Sequence, residues 1–211
     1  MIRTIETRRY RLTFTEPILG TVPKSREAFS KFVSARTFDA DDAYLGHGED
    51  ELEMVPEGGS GEAAKETGFY TDEKGIYLLD YQVGGFLREA ANVCRDVLGV
   101  KALRSKVRNY VFVEPRKIYL APAPDGRIER PLRAMTMRGP RVTMAVSDYV
   151  AAGRSIEIEV TVLPHKELSW ELIEGLLDYG KWQGIGQWRS GGFGRFTWER
   201  LTNGKPNERE R

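Results

Sequence analysis

Tyr10, Leu12 and Phe14 alternate with Arg9, Arg11 and Thr13, the period-2 pattern of a strand with one face buried, and Pro17 and Gly20 end it, so a first strand is expected over residues 7–15. A second run is longer and cleaner: Ile156, Ile158, Val160 and Val162 alternate with Glu157, Glu159 and Thr161, and Pro164 closes it. Further strands are expected at 75–81, 109–113, 117–120 and 141–146, where β-branched and aromatic residues concentrate between turn signals. The period changes to 3.6 in three places. Ala28, Phe29, Phe32 and Val33 predict a short helix over 25–35. Phe86, Ala90, Val93, Cys94 and Val97 form one apolar stripe of a helix over 84–98. Trp170, Ile173, Leu176 and Leu177 form the third, with Glu171 and Glu174 near its positive end.

Residues 37–75 interrupt the pattern: they are acidic, and Glu57-Gly58-Gly59-Ser60-Gly61 is the least structured point. Long segments of this kind project from a domain, so they are taken as an inserted arm. The organisation expected is one domain over 1–202 carrying the arm, followed by a short charged tail, 203–211, that is disordered.

The net charge is only +1, so a surface for a polyanion must come from local clustering. Acidic residues crowd 39–73, while arginines crowd 127–141 and recur at Arg189 and Arg195. Arg130, Arg133, Arg138 and Arg141 are dense enough for a basic strip, with a solvated charged hairpin as the competing reading. The single cysteine, Cys94, excludes an intrachain disulfide and is read as a structural thiol. The charged start of the chain and the absence of a membrane-length apolar run predict a cytoplasmic protein without membrane contact.

The chemistry is concentrated near the C-terminus. Residues 184–196 hold five glycines, two arginines and three aromatics, and Gly184, Gly186, Gly192 and Gly194 fit G-x-G-x-x-x-x-x-G-x-G. Glycine lets a ligand approach main-chain N–H groups, arginine pairs with phosphate and aromatic faces stack on bases. Arg189 and Arg195 are therefore phosphate-binding candidates, Gly184, Gly186, Gly191, Gly192 and Gly194 the close-approach positions, and Trp188 a base-stacking candidate, core packing being the equal alternative for Trp188 and Phe193.

This loop resembles the C-terminal glycine-rich loop of the RAMP superfamily, the CRISPR-associated RNA-binding and RNA-processing proteins. The segment Val83-Gly84-Gly85-Phe86-Leu87-Arg88-Glu89-Ala90 is similar to the start of the first helix in backbone subunits of CRISPR effector complexes. Arg130-Pro131-Leu132-Arg133, the stretch 142–146, and Gly153 before the alternating strand look like the middle of the same subunits. The resemblance implies an α+β, ferredoxin-like or RNA-recognition-motif-like antiparallel sheet with helices on one face. It also implies sequence-independent binding of single-stranded guide RNA, self-association or contact with other effector subunits, and the inserted segment as a thumb-like arm. The arm's acidity departs from a phosphate contact and favours contact with a basic protein neighbour. Arg88 is expected near the start of its helix, beside N–H groups that face a phosphate, with an ion pair to Glu89 or Asp96 as the alternative.

An enzymatic role ranks below binding. Guide-processing relatives use a histidine for acid-base work, and His47 is the weak candidate here, while His165 lies outside any nucleophile motif. Metal-dependent cleavage in some backbone subunits uses an aspartate after the first strand. Asp39, Asp41 and Asp42 occupy a comparable region but read as solvated charges, so no metal and no cofactor is assigned. The alternatives to a guide-RNA binder are a metal-independent endoribonuclease and a structural assembly protein that uses the fold without RNA.

Overall fold

The computed structural model describes residues 5–25, 66–136 and 139–201, with side chains described outside 132–143. Its frame is a four-stranded antiparallel sheet of β1 (Glu6–Phe14), β7 (Val111–Glu114), β11 (Ser155–Val162) and β12 (Phe196–Leu201), in the spatial order β12-β1-β11-β7. Helix α1 (Asp80–Leu98) lies between β1 and β7 in the chain, and α3 (Trp170–Asp178) lies between β11 and β12. The frame thus runs β-α-β-β-α-β with its strands ordered fourth, first, third, second, and every neighbouring pair is antiparallel. This is the ferredoxin-like connectivity. The protein is α+β, as the sequence pattern implied.

Both expected alternating strands form, and they pair directly, Tyr10 opposite Ile158 and Leu12 opposite Ile156. Their apolar face meets Val83, Phe86, Leu87 and Ala90 of α1 and Ile173, Leu176 and Leu177 of α3 in one buried cluster. Each of the valine, leucine, isoleucine and phenylalanine side chains contributes roughly 1.5–3 kcal/mol through removal from water. Ser169 caps α3 by accepting from the Leu172 N–H at 3.3 Å. Ring contacts run through this core from Phe14 to Phe196 and on to Phe86, with centroids 6.3 and 5.0 Å apart.

The opposite face of the sheet is polar. Arg9 and Arg11 on β1 pair with Glu157 at 3.1 and 2.9 Å, Arg9 also reaches Glu159, and Arg11 reaches Glu199 at 2.8 Å. The register adds Glu114, opposite Glu159, so two arginines meet four glutamates there.

Two smaller sheets flank the frame. One joins β2 (Ile18–Leu19), β3 (Val22–Pro23), β4 (Glu66–Gly68), β9 (Gly126–Thr136) and β10 (Gly139–Val150). The other joins β5 (Tyr70–Asp72), β6 (Gly75–Leu79) and β8 (Lys117–Ala121).

Four sequence expectations change. Helix α1 begins at Asp80, not at Gly84, because the Gln82 side chain accepts the Leu79 N–H at 2.9 Å and opens the helix earlier. Its stripe is Val83, Phe86, Leu87, Ala90 and Ala91 and continues half-buried through Cys94 and Leu98, while Val93 and Val97, 54% and 90% exposed, fall off that face. A further helix, α2 (Leu103–Tyr110), precedes β7. Finally, residues 66–75 of the expected arm are built into the two small sheets as β4 and β5, with Thr67 and Tyr70 at strand positions. The helix expected over 25–35, residues 37–65 of the arm, Asp39, Asp41, Asp42, His47 and the tail lie outside the described residues. Cys94 is half-buried against the core, and burial pushes its thiol above the usual range.

Candidate functional site

The glycine loop leaves α3 through a single tight turn (Tyr179–Lys181) and returns into β12. Its neck is shut by the chain itself. The Ile185 N–H donates to the Gly194 carbonyl at 3.0 Å, and a Cβ on Gly184 would lie 2.1 Å from the Gly194 carbonyl carbon. Gly194 sits at φ +68, where a Cβ would fall 1.8 Å from the Ile185 oxygen, so glycine is required there on both counts.

The loop also lies flat on the turn that follows β1. Gly194 N–H donates to Pro17 O at 2.8 Å, Gln187 N–H to Leu19 O at 3.3 Å, and Gly186 at φ +104 has no room for a Cβ beside the Leu19 oxygen, 2.7 Å away. The close approach that Gly184, Gly186 and Gly194 were expected to give a ligand is therefore taken by the protein's own backbone. The tip, 188–193, is what faces outward: Gly191 is exposed and Gly192 half-exposed.

Side chains lock the tip to three elements. Gln187 accepts at Oε1 from Thr67 of β4 at 2.7 Å and from Ser147 of β10 at 3.0 Å, and the two hydroxyls are 2.9 Å apart. On α1, Glu89 accepts from Arg189 Nη1 and, at 3.4 Å, from Gln183 Nε2. The Arg189 side chain is only 12% exposed, so it enters the site as half of an ion pair and not as an open cation. Trp188 holds a left-handed backbone at φ +54, and its ring stacks on Phe193 with centroids 5.1 Å apart and planes at 17°. The guanidinium of Arg130, a buried residue of β9, stands 5.1 Å from the Trp188 ring centre.

Arg195 completes the arrangement. Its guanidinium carbon lies 3.5 Å from where a Gly192 Cβ would be, beneath the outward-facing main chain. Its buried Nε has no acceptor among the described residues. Beside Ser147 on β10, the largely buried Asp148 is approached by Lys24 and Arg127 at 2.6 and 3.5 Å.

The structure thus gathers Arg130, Trp188, Arg189, Gly191, Gly192 and Arg195 in one place, and leaves Arg88 apart from the role expected for it. Arg88 is more than two turns into α1 and curls back so that its Nη1 lies 3.4 Å from a Cβ built on Gly84, so the helix N-terminus is not beside it. Arg133 and Arg141 occupy register positions opposite Val142 and Ala134 in the β9–β10 hairpin, their side chains undescribed, and Arg138 lies outside the described residues. His165 accepts the Glu167 N–H at Nδ1, 3.1 Å away, and its ring sits 4.8 Å from that of Tyr110, which is a turn-stabilising role. Sequence reasoning missed Glu89, Gln183, Gln187, Thr67 and Ser147, which hold the loop. Only Glu89, adjacent to Arg88 on the helix, carried a signal.

No protein-family model matches the chain, and no curated protein matches it. Among solved structures, a chain in the cryo-EM structure of the Type III-B Cmr-beta bound to cognate target RNA is similar at a TM-score of 0.49 and 11% identity. The match covers 94% of this chain, which spans 61% of the length of that one. Among the described residues no helix is long and apolar enough to cross a membrane.

Proposed function

We propose that this chain binds single-stranded RNA through the tip of its glycine loop, as a guide-RNA-holding, self-associating backbone subunit of a CRISPR-type ribonucleoprotein. The RAMP-like sequence segments support the reading, as does a glycine loop entering the last strand of a β-α-β-β-α-β frame. The observation that carries it is Arg195: a guanidinium tucked under the exposed Gly191–Gly192 main chain, with an Nε that no described residue accepts from, beside the stacked Trp188–Phe193 pair. The Gly191 and Gly192 N–H groups already donate to Trp188 O and Arg189 O at 3.1 and 2.9 Å, so a phosphate oxygen at the tip would accept from the Arg195 guanidinium, a contact that reads backbone and not sequence.

The open face of the four-stranded sheet is a poor second surface for RNA, since its glutamates outnumber its arginines and every arginine there is paired. The test is to purify the full chain, compare its absorbance at 260 and 280 nm, measure its solution mass, and extract and size any RNA. Bound RNA of defined length on a multimer is the expected result. Arg195→Ala should then weaken binding about tenfold and flatten its salt dependence. A wild-type protein that neither carries nor takes up RNA overturns the reading.

A further inference from the structure

The small β5-β6-β8 sheet carries a row of aromatic rings that the glycine loop does not use. Tyr70 lies directly opposite Tyr77, and Tyr77 directly opposite Tyr119, so three tyrosines stand side by side across three strands. Their centroids are 5.8 Å apart at each step, the first pair stacked at 17° and the second edge-on at 62°. The reverse face of the same strands is core, with Ile76, Leu78, Ile118 and Leu120 buried, whereas the three tyrosines stand outside that cluster and Tyr119 is 38% exposed. Tyr70 is pinned by a 3.0 Å bond between its hydroxyl and that of Tyr81.

Cations surround the row. Lys117 Nζ is 4.7 Å from the Tyr77 ring centre, Lys74 Nζ is 5.8 Å from that of Tyr119, and Arg116 is 5.8 Å from that of Tyr81. Their carboxylate partners lie deeper. Asp72 accepts from Lys117 at 2.6 Å and from the Tyr119 hydroxyl at 3.0 Å, and Asp80 accepts from Arg116 at 2.5 Å. Lys117 and Arg116 are 46% and 67% exposed, against 24% and 27% for Asp72 and Asp80. The lysine and arginine are thus more exposed than the carboxylates they pair with, and Glu73 is the exposed carboxylate of the turn that carries Lys74. The hydrogen bond from Lys117 holds the Asp72 carboxyl below its usual range, and the same bond raises Lys117, so both are charged at neutral pH.

A row of two half-buried tyrosines and one exposed one, with lysine and arginine at its edge, has the composition of a platform on which unpaired bases stack while their phosphates meet lysine and arginine. We infer that the Tyr70–Tyr77–Tyr119 face is a second contact for single-stranded RNA, separate from the glycine loop, on which bases stack without sequence preference. The inference rests on the RNA-binding reading above and adds where bases, as distinct from phosphates, are held. The pairing of rings with cations favours a polyanion over a protein partner, whose contact area would be depleted in lysine.

The test measures binding of a fluorescein-labelled oligouridylate to the full chain by anisotropy. Tyr119→Ala and Tyr77→Ala should each weaken binding about tenfold, with Tyr119→Phe close to wild type because the ring is retained. A 4-thiouridine-substituted oligonucleotide, photolysed on the unaltered protein, should crosslink to peptides containing Tyr77 or Tyr119, a readout independent of whether the alanine variants fold. If Arg195→Ala weakens binding while the tyrosine variants do not, and crosslinks fall only at Trp188 and Phe193, this inference is wrong and the RNA reading stands. If the wild type binds no oligonucleotide, both fall. If the tyrosine variants change only the solution mass, the face is an interface between copies and the inference is overturned.

Discussion

Arg189 at the tip of the glycine loop donates to Glu89 on α1, so the charge that the tip presents is balanced within the protein. The pair holds the loop against the helix, and it also withholds a cation from any ligand. Glu89→Gln keeps the shape of the acceptor and removes its charge. RNA affinity should rise about threefold, and the plot of log K against log salt should steepen by roughly 0.7, one more phosphate contact on a single strand. Anisotropy titrations over a salt series check this, and an unchanged slope would mean that Arg189 makes no phosphate contact.

The neck of the loop should be the least forgiving part of the site. Gly194→Ala places a Cβ 1.8 Å from the Ile185 oxygen at a positive φ, so a loss of about 3 kcal/mol or more is expected in urea denaturation. Gly153→Ala is the control. It also has a positive φ, +89, but nothing lies within 4 Å of the new Cβ, so only the left-handed backbone cost of about 1–2 kcal/mol should appear. Equal losses at the two positions would show that the neck is open in solution.

Tyr10 ties stability to alkaline pH. It is fully buried, its hydroxyl donates to Glu174 at 3.0 Å, and burial first, then that bond, raise its pKa well above the ordinary value of 10.0. Since the folded pKa is the higher one, this contribution is complete below about pH 10 and is lost as pH rises beyond it, where the unfolded chain ionises and the folded chain does not. Tyr10→Phe should cost about 1 kcal/mol at pH 7 through the lost hydrogen bond and make the decline above pH 10 shallower. Denaturation midpoints from pH 7 to 11 for both proteins decide it. Parallel curves would remove Tyr10 as the cause.

The open sheet face should be energetically quiet. Arg11 pairs with Glu157 and Glu199 with its side chain 42% exposed, and surface pairs of this kind are worth about 0–1 kcal/mol. Arg11→Ala should leave the urea midpoint close to that of the wild type and RNA affinity unchanged. A marked loss of binding would return that face to the site.

What was legible in the sequence follows from range. Strands β1 and β11 and the core of α3 declare themselves within a few residues, because one buried face imposes period 2 or 3.6 on neighbouring positions. The glycine spacing also marked a special loop, yet it could not say what comes close to those glycines. The answer, Leu19 and the loop's other end, depends on a turn more than 160 residues away. Helix α2 escaped because only Leu103 and Val107 of its residues are buried, among Arg104, Lys106 and Arg108, and its start has no side-chain cap. The tyrosine row was invisible for a related reason: Tyr77 and Tyr119 are neighbours only once two distant strands pair. Arg189 looked free in sequence because its partner is on another element.

The closed neck of the glycine loop also separates what can change from what cannot. Since Ile185 and Gly194 are joined by a main-chain hydrogen bond, the segment between them is a lobe whose ends are already fixed to α3 and β12. Substitutions at the tip therefore leave the register of the last strand in place, while Arg189 through Glu89 and Trp188 through Phe193 keep the shape of the lobe itself.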